Sequence, residues 1–453
     1  MGIVWCVIVG SVSLVLSACL TQPLSEQVPS PQPTTRASAT LQPSQTTIPT
    51  ETALPTPTLG VLNIAPSPTL IALSVDQRIS MFDDVWTYVN DRYVYPDYRG
   101  VNWSGIYDEY RSRITGTTDT DEFYATIKEM IELLNDDHTR FDTPQEAAMD
   151  AAFFSGEAGY AGIGIIIRNV DEGLLIMRLA QSGPAEMAGV RPFDIITKVD
   201  GVSIAEIVQS DEEYTRRIRG PIGSRITLEI LRDSQRFDVQ ITRNAISSDA
   251  FPEAFTQLLP ESDVVYLTID SFNRQNLDVL VKNALLMPFI TQTPRALIID
   301  IRENYGGSIG SMLDVMALFH SGGVMGEQVG RSATYKLEVP EGRVIPEFAT
   351  IPIIILTSGE TASAAEMFAS GMRSLRDARI IGEVTAGNTE NLYPYDLEDG
   401  STLWLAELLF RQIDGTYIDD IGVQPDTIIV TEWGTFKPEN DPFVIQALAE
   451  LAE

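Results

Sequence analysis

Hydrophobic and polar residues form three successive patterns along the chain after residue 74. Over residues 75–155, apolar residues recur at every third or fourth position, which predicts a small helical N-terminal domain. Over 156–245, short apolar runs are separated by turn residues, which indicates a β-rich domain. Over 246–453, apolar strands alternate with helical patterns, which predicts an α/β core with mainly parallel strands.

The core contains the most regular of these elements. Their order suits strands that are buried on both faces and connected by helices. The predicted strands are 264–269, 296–301, 351–356, 380–381 and 403–410, and the predicted helices are 278–289, 309–320 and 362–375.

The first 74 residues show none of these patterns. Residues 3–16 are apolar, too short a run to span a bilayer, and are followed by Leu16-Ser17-Ala18-Cys19, which resembles a bacterial lipoprotein signal. The resemblance implies a signal peptide at 1–19, a lipidated Cys19 that anchors the protein to the membrane, and an extracytoplasmic location. Residues 1–5 lack the usual positive charge, so an upstream start or an unprocessed anchor stays open. Residues 20–74 are rich in Pro, Thr, Ser and Gln and predict a disordered linker.

Composition excludes several classes of function. A formal net charge of −32 argues against nucleic acid as a partner. The two cysteines, Cys6 and Cys19, precede the folded part, which therefore has neither a disulfide nor a thiolate metal site. The two histidines, His138 and His320, are too few for a His-rich zinc site. We expect neither a metal nor a cofactor, and we expect His320 to be structural.

Ser363 is the first candidate for chemistry. It follows the predicted strand 351–356 and a Ser358-Gly359 turn, and it lies at the start of a predicted helix. There the helix dipole and the N–H of Ala364 would favour negative charge on the serine oxygen or on a substrate. The alternative is an ordinary capping box, because Glu366 stands three residues after Ser363.

A second candidate is the glycine pair Gly306-Gly307, which follows the predicted strand 296–301 and precedes a predicted helix. Such a loop presents free N–H groups, and together with Ala364 these could form an oxyanion hole. Phosphate binding is the alternative, but neither a P-loop lysine nor G-x-G-x-x-G spacing accompanies the pair.

The β-rich region 156–245 resembles a PDZ domain over its whole length. Such domains add the carboxyl-terminal tail of a partner as an extra strand and bind its carboxylate with backbone N–H groups. The resemblance implies that the loop Gly162-Ile163-Gly164-Ile165 binds protein or peptide tails. The alternative is a rigid lid that has no ligand of its own.

The strand and Gly-Gly loop, the Ser363–Glu366 helix start and the preceding PDZ domain together resemble the C-terminal processing (tail-specific) serine peptidases. Gly382–Gly387 and Gly422–Asp426 extend the resemblance, which covers roughly residues 75–435. It implies a crotonase-like (ClpP/crotonase superfold) α/β catalytic core, with Ser363 as the nucleophile. The N–H groups of Ala364, Gly307 and Gly306 would then form the oxyanion hole.

The general base that would activate Ser363 differs between two branches of this family. Its Ser-Lys branch has a lysine 25 residues after the nucleophile, where this chain has Asn388. The motif Asp136-Asp137-His138-Thr139 and an acidic residue before Gly422 instead resemble the branch of tricorn and the interphotoreceptor retinoid-binding protein. That resemblance implies His138 as the base and Asp419 as its orienting carboxylate, with Asp420 as the substitute. By residue type alone, His138 could equally bind carbonyls at a helix end.

Together these features predict a membrane-tethered extracytoplasmic serine endopeptidase that cleaves proteins or peptides near their C-termini through an acyl-enzyme. The rival is a non-catalytic PDZ scaffold with a peptidase-like core, which would need neither Ser363 nor His138.

Overall fold

The computed structural model describes residues 72–452, except 137, 149–159, 207–210, 248–249, 252–253, 260–261, 290–293 and 432–435. The predicted signal peptide, Cys19 and the linker up to residue 71 lie outside these residues. No helix within the described ranges is both long and apolar enough to cross a membrane.

Among the described residues of the helical region, the three longest helices are α1 (Val75–Arg92), α2 (Trp103–Gly116) and α3 (Thr120–Glu132). Ser74 caps α1 through a reciprocal pair with Gln77, an arrangement worth about 1 kcal/mol. The buried faces of the three helices share one apolar cluster, which continues onto Leu403 and Leu405 of a sheet far along the chain. The helical region is therefore packed against a sheet formed mainly by the last third of the chain.

The chain leaves α3 and forms a short strand, β1 (Arg140–Asp142). This strand pairs antiparallel with residues 402–404 of a long strand near the end of the chain. His138 lies two residues before β1, so this pairing fixes the histidine against the core rather than within the helical region.

The PDZ region is a six-stranded antiparallel sheet with two helices, and a separate two-stranded pair closes its ends. The sheet strands are β3 (Ile165–Val170), β4 (Gly173–Leu179), β5 (Ile195–Val199), β6 (Val202–Ser203), β7 (Arg225–Arg232) and β8 (Gln235–Thr242). The helices are α4 (Pro184–Met187) and α5 (Asp211–Ile218), and the separate pair is β2 (Tyr160–Gly162) with β9 (Asn244–Ile246).

The core is built on a six-stranded sheet in which all neighbours are parallel except the first pair. Apolar strands such as Ala296–Asp300 and Ile353–Thr357 are fully buried because helices cover both faces. In sheet order the strands are β10 (Ala254–Leu258), β11 (Val264–Ile269), β12 (Ala296–Asp300), β15 (Ile353–Thr357), β16 (Arg379–Gly382) and β19 (Thr427–Ile428). The helices are α6 (Leu277–Phe289), α7 (Ile309–Met316), α8 (Ala364–Arg376) and α9 (Pro442–Glu450).

A second core sheet is antiparallel and includes the predicted strand 403–410, which therefore does not belong to the parallel set. It comprises β1, β13 (Val324–Gly330), β14 (Thr334–Glu338), β17 (Asn391–Asp396) and β18 (Thr402–Gln412). One face of β18 packs against the helical region through Leu403 and Leu405, while Phe410 joins the core cluster. A strand covered on both faces has the continuous apolar run that is typical of parallel strands.

Candidate active site

Ser363 lies on a strained turn between β15 and α8. Its φ of 56° and ψ of −125° fall where residues other than glycine pay about 1–3 kcal/mol. Neighbouring backbone holds the turn in place, because the N–H of Ser363 donates to the Asn388 carbonyl at 2.9 Å and that of Ala362 to the Asn304 carbonyl at 3.1 Å. The turn therefore presents a half-buried serine at the carboxyl end of the parallel sheet.

The buried carboxylate of Glu366 closes this turn. One oxygen accepts from the N–H groups of Ser363 at 3.0 Å and Asn388 at 2.8 Å, and the other accepts from the Gly387 N–H at 2.7 Å and the Thr385 hydroxyl. Burial raises the pKa of Glu366, while these hydrogen bonds oppose that rise. Ser363 and Glu366 thus form the reciprocal capping box that the sequence allowed, and the N–H of Ser363 donates to the carboxylate within it.

The Gly306-Gly307 loop contacts the serine turn directly. A Cβ on Gly306 would lie 2.6 Å from Ser363 Cβ and 3.0 Å from the nitrogen of Ala364, so only glycine permits this approach. The N–H of Gly306 donates to the Asn304 side chain at 2.8 Å, so in this structure it is not free to bind an oxyanion as predicted. The N–H groups of Gly307 and Ala364 find no acceptor among the described residues.

Asn304, which the sequence had not singled out, holds the two loops together. Its fully buried side-chain amide accepts from the Gly306 N–H and donates to the Ile269 carbonyl at 3.0 Å. Its backbone carbonyl accepts from the Ala362 N–H. Because every one of these contacts depends on the fold, an asparagine before Tyr-Gly-Gly carries no local signal of this role.

His138 is positioned by its neighbours rather than by a helix end. The Asp136 carboxylate accepts from the N–H groups of His138 at 2.8 Å and Thr139 at 3.2 Å and from the Thr139 hydroxyl, which in turn accepts from Ala406 of β18. The His138 side chain is 17% exposed, and its Nε2 is buried without a hydrogen-bond partner in the described structure. The alternative that this nitrogen binds a helix-end carbonyl is therefore not supported.

The carboxylate beside His138 is that of Glu390, which the sequence analysis missed. Glu390 Oε2 lies 3.9 Å from His138 Nε2, and its Oε1 accepts from the Tyr95 hydroxyl at 2.8 Å. Burial raises the pKa of Glu390, whereas the bond from Tyr95 and the charge of His138 lower it. A single glutamate in a polar loop is unremarkable in sequence, and only the fold brings it to the histidine.

Asp419 and Asp420 occupy other positions. Asp419 accepts from the Thr389 hydroxyl, and burial, reinforced by the charge of Glu390, raises the pKa of Asp419 to about 7. Asp420 forms an exposed ion pair with Arg99 at 3.1 Å. Within the described contacts neither aspartate touches His138, so the structure corrects the expectation that one of them orients its ring directly.

Segment 385–390 links these groups. Its Asn388 carbonyl binds the N–H of Ser363, and Glu390 faces His138. Gly387 packs so closely on the 420–422 backbone that a Cβ there would lie 2.8 Å from two nitrogens. No direct hydrogen bond between Ser363 and His138 occurs in the described residues. Segment 385–390 contacts both of them, Ser363 through the Asn388 carbonyl and His138 through Glu390.

The loop Gly162–Ile165 of the PDZ region connects β2 to β3. Gly164 adopts a φ of 74° against Ala180, and the carbonyls of Ile163 and Gly164 accept from Ala185 and Ala180. The Ile163 and Gly164 N–H groups are left without acceptors in the described part, while the Ile163 side chain is buried in the PDZ core.

A neighbouring strand residue, Arg168, connects the PDZ domain to the catalytic loops. It pairs with Glu303 at 3.0 Å and with Glu360 at 3.4 Å. Glu303 directly precedes Asn304, and Glu360 precedes Ser363 by three residues. Strand β3 of the PDZ region is therefore in contact with the loops that hold Gly306-Gly307 and Ser363.

No cluster of three or more potential metal ligands occurs among the residues that the structure describes.

Comparison with known proteins agrees with this arrangement. Residues 263–429 match Peptidase family S41, residues 161–242 match the PDZ domain and residues 75–132 match the tricorn protease C1 domain. A carboxyl-terminal-processing protease of Synechocystis sp. is 25% identical over 393 residues, which are 86% of this chain and 90% of the relative.

Two solved structures share the fold. The photosystem II D1 C-terminal processing protease superposes with a TM-score of 0.52 at 23% identity, over 78% of this chain and 93% of that one. An S41 protease from Bacteroides fragilis gives 0.54 at 16% identity, over 82% and 97%. Fold and site thus define a serine peptidase with a PDZ domain and confirm the predicted fold class. Residues 263–429 carry the match to Peptidase family S41, and over most of its length the chain is similar to carboxyl-terminal-processing proteases.

Proposed function

We propose that this peptidase is a membrane-tethered extracytoplasmic endopeptidase that cleaves polypeptides near their carboxyl ends. Ser363 attacks the scissile carbonyl, and its proton passes to His138. Gly307 and Ala364 donate N–H bonds to the oxyanion, and the leaving amine takes the proton from His138. Water then hydrolyses the acyl-enzyme by the same route in reverse. The PDZ loop Gly162–Ile165 binds the carboxylate of the substrate tail.

The observation that carries the catalytic part is the conformation of Ser363. Its strained turn is fixed by Glu366, Asn388 and Gly306 at the carboxyl end of the parallel sheet. Strain of this kind persists where surrounding structure enforces it, and it clusters at functional sites. The tether rests on Leu16-Ser17-Ala18-Cys19 and on the linker, and the tail preference rests on the PDZ loop and on the named relative.

Cleavage of an unstructured protein tests the catalytic part, with products identified by mass. Ser363→Ala and His138→Ala should each lose most of the activity, and the double variant little more, because such residues act as one unit. Asn388→Ala should cost far less. If the wild type cleaves nothing while Ser363→Ala binds tails normally, the protein is instead the non-catalytic scaffold.

Membrane fractionation tests the tether. Cys19→Ala should release the protein from membranes or leave an unprocessed precursor, and the mature wild-type N-terminus should be a lipidated Cys19. An intact Met1 segment with an unmodified Cys19 would exclude the lipoprotein.

A further inference from the structure

Three buried polar atoms on Glu390 and on groups around it lack hydrogen-bond partners within the described residues. They are Nε2 of His138, Oε2 of Glu390 and Oδ2 of Asp419. A buried polar group without a partner costs about 1–3 kcal/mol, so neighbouring groups in this state call for an explanation. Catalytic hydrogen bonds are often long before substrate binds and shorten in the complex.

We propose that Glu390 is the positioning residue of the catalytic histidine, a role that rests on the proposed function. Its Oε2 holds the proton on the facing Nε2, so that Nδ1 keeps its lone pair for the proton of Ser363. When Nδ1 takes that proton, the carboxylate offsets the charge of the imidazolium. A closure of about 1 Å converts the 3.9 Å separation into a hydrogen bond.

Tyr95 holds Glu390 in the required orientation. Its hydroxyl donates to Oε1 at 2.8 Å, which leaves Oε2 directed at the ring. The Glu390 side chain is only 6% exposed, so its charge is weakly screened by solvent. Tyr95 lies in the segment after α1, next to Val94, which hydrogen-bonds to Ala406 of β18. Glu390 lies directly before β17, which pairs with the same strand.

Asp419 is less suited to this role. Its Oδ1 is occupied by the Thr389 hydroxyl, and its pKa of about 7 leaves it partly protonated at neutral pH. Two neighbouring buried carboxyls do not both ionise readily. His138 and Tyr95 favour the charged form of Glu390, against its burial and the charge of Asp136. Of the two carboxyls, Glu390 is the one whose charged form both the histidine and the tyrosine favour.

Glu390→Gln tests the proposal because it keeps the shape of the side chain and removes the charge. We expect kcat to fall by about 10²-fold or more, with KM changed by less than about twofold. The acid limb of the pH profile of kcat/KM should also move. Tyr95→Phe keeps the charge and removes the brace, so it should give a smaller loss. Glu398→Gln, an exposed glutamate on the loop after β17, is the matched control and should change neither quantity.

Histidine nitrogen NMR of the full chain gives a readout that does not require activity. The chain has two histidines, so His320→Gln assigns the signals. Glu390→Gln should reduce the population with the proton on Nε2 of His138, whereas Glu398→Gln should not.

An unchanged tautomer population would overturn the proposal, and so would a larger loss of kcat in Asp419→Asn than in Glu390→Gln. A protein that shows the tautomer shift but cleaves no substrate would refute the peptidase function and leave the contact between Glu390 and His138 intact.

Discussion

Gly306 is the position at which the geometry predicts the largest effect from the smallest change. In Gly306→Ala the new Cβ would lie 2.6 Å from Ser363 Cβ and 2.9 Å from the Ala362 carbonyl oxygen, and the backbone φ is 102°. An alanine in this conformation costs about 1–2 kcal/mol, and overpacking against backbone adds about 1–3 kcal/mol.

The overlap is relieved only if the Gly-Gly loop and the serine turn move apart. A displacement of about 1 Å at reacting groups costs about 10²-fold in rate, so kcat/KM should fall by at least that factor. The matched control is Gly342→Ala, whose φ is 74° and whose added Cβ meets nothing within 4 Å. It should carry the backbone strain alone and keep its activity.

Steady-state cleavage and thermal unfolding of the two variants separate strain from misplacement. The expected result is a similar modest loss of Tm from backbone strain, with a further loss and inactivation in Gly306→Ala only. Wild-type kcat/KM in Gly306→Ala would refute the account of the oxyanion loop, as would equal inactivation of Gly342→Ala.

Three further predictions follow from single contacts. Folding raises the pKa of Asp419 to about 7, so the stability that its protonated form contributes is complete below about pH 4 and is lost as the pH rises through 7. Asp419→Asn should therefore raise Tm more at pH 8 than at pH 5. An equal gain at both pH values would contradict this. In Glu366→Gln one carboxylate oxygen becomes an NH₂ group that faces N–H donors and cannot accept from them. The variant should be less stable by about 1–3 kcal/mol in thermal unfolding. Peptides with a free carboxylate should bind the PDZ loop Gly162–Ile165 at least about tenfold more tightly than their amides in calorimetry, and equal affinities would remove that loop from tail binding.

The parts of the fold that sequence predicted are those with a strong local pattern. Strands β11 and β12 have six and five residues, all but one of them apolar in each strand, and burial on both faces explains why they are so regular. The serine and glycine loops follow such strands directly. The antiparallel sheet was harder to predict, because β1 has three residues and β18 is covered on both faces.

Residues of the candidate site that belong to a local motif were predicted from the sequence. Residues that only the folding of distant segments brings to the site were missed. Ser363 and Ala364 follow β15, and Gly307 follows β12, which is the neighbouring parallel strand. Their proximity therefore follows from the order of the strands. Glu390 and Tyr95 are 295 positions apart, and nothing local to either indicates their contact. The expectation for Asp419 came from resemblance, which fixes a position along the chain but not the hydrogen bonds around it.

Covalent trapping tests the central claim, that His138 activates Ser363, most directly. A fluorophosphonate reacts with an activated serine, and peptide mapping by mass spectrometry identifies the modified residue. The account predicts an adduct on Ser363 in the wild type and in Asn388→Ala, and a rate of labelling reduced by about 10²-fold or more in His138→Ala. Labelling of Ser363 at the wild-type rate in His138→Ala, or loss of labelling in Asn388→Ala alone, would contradict it.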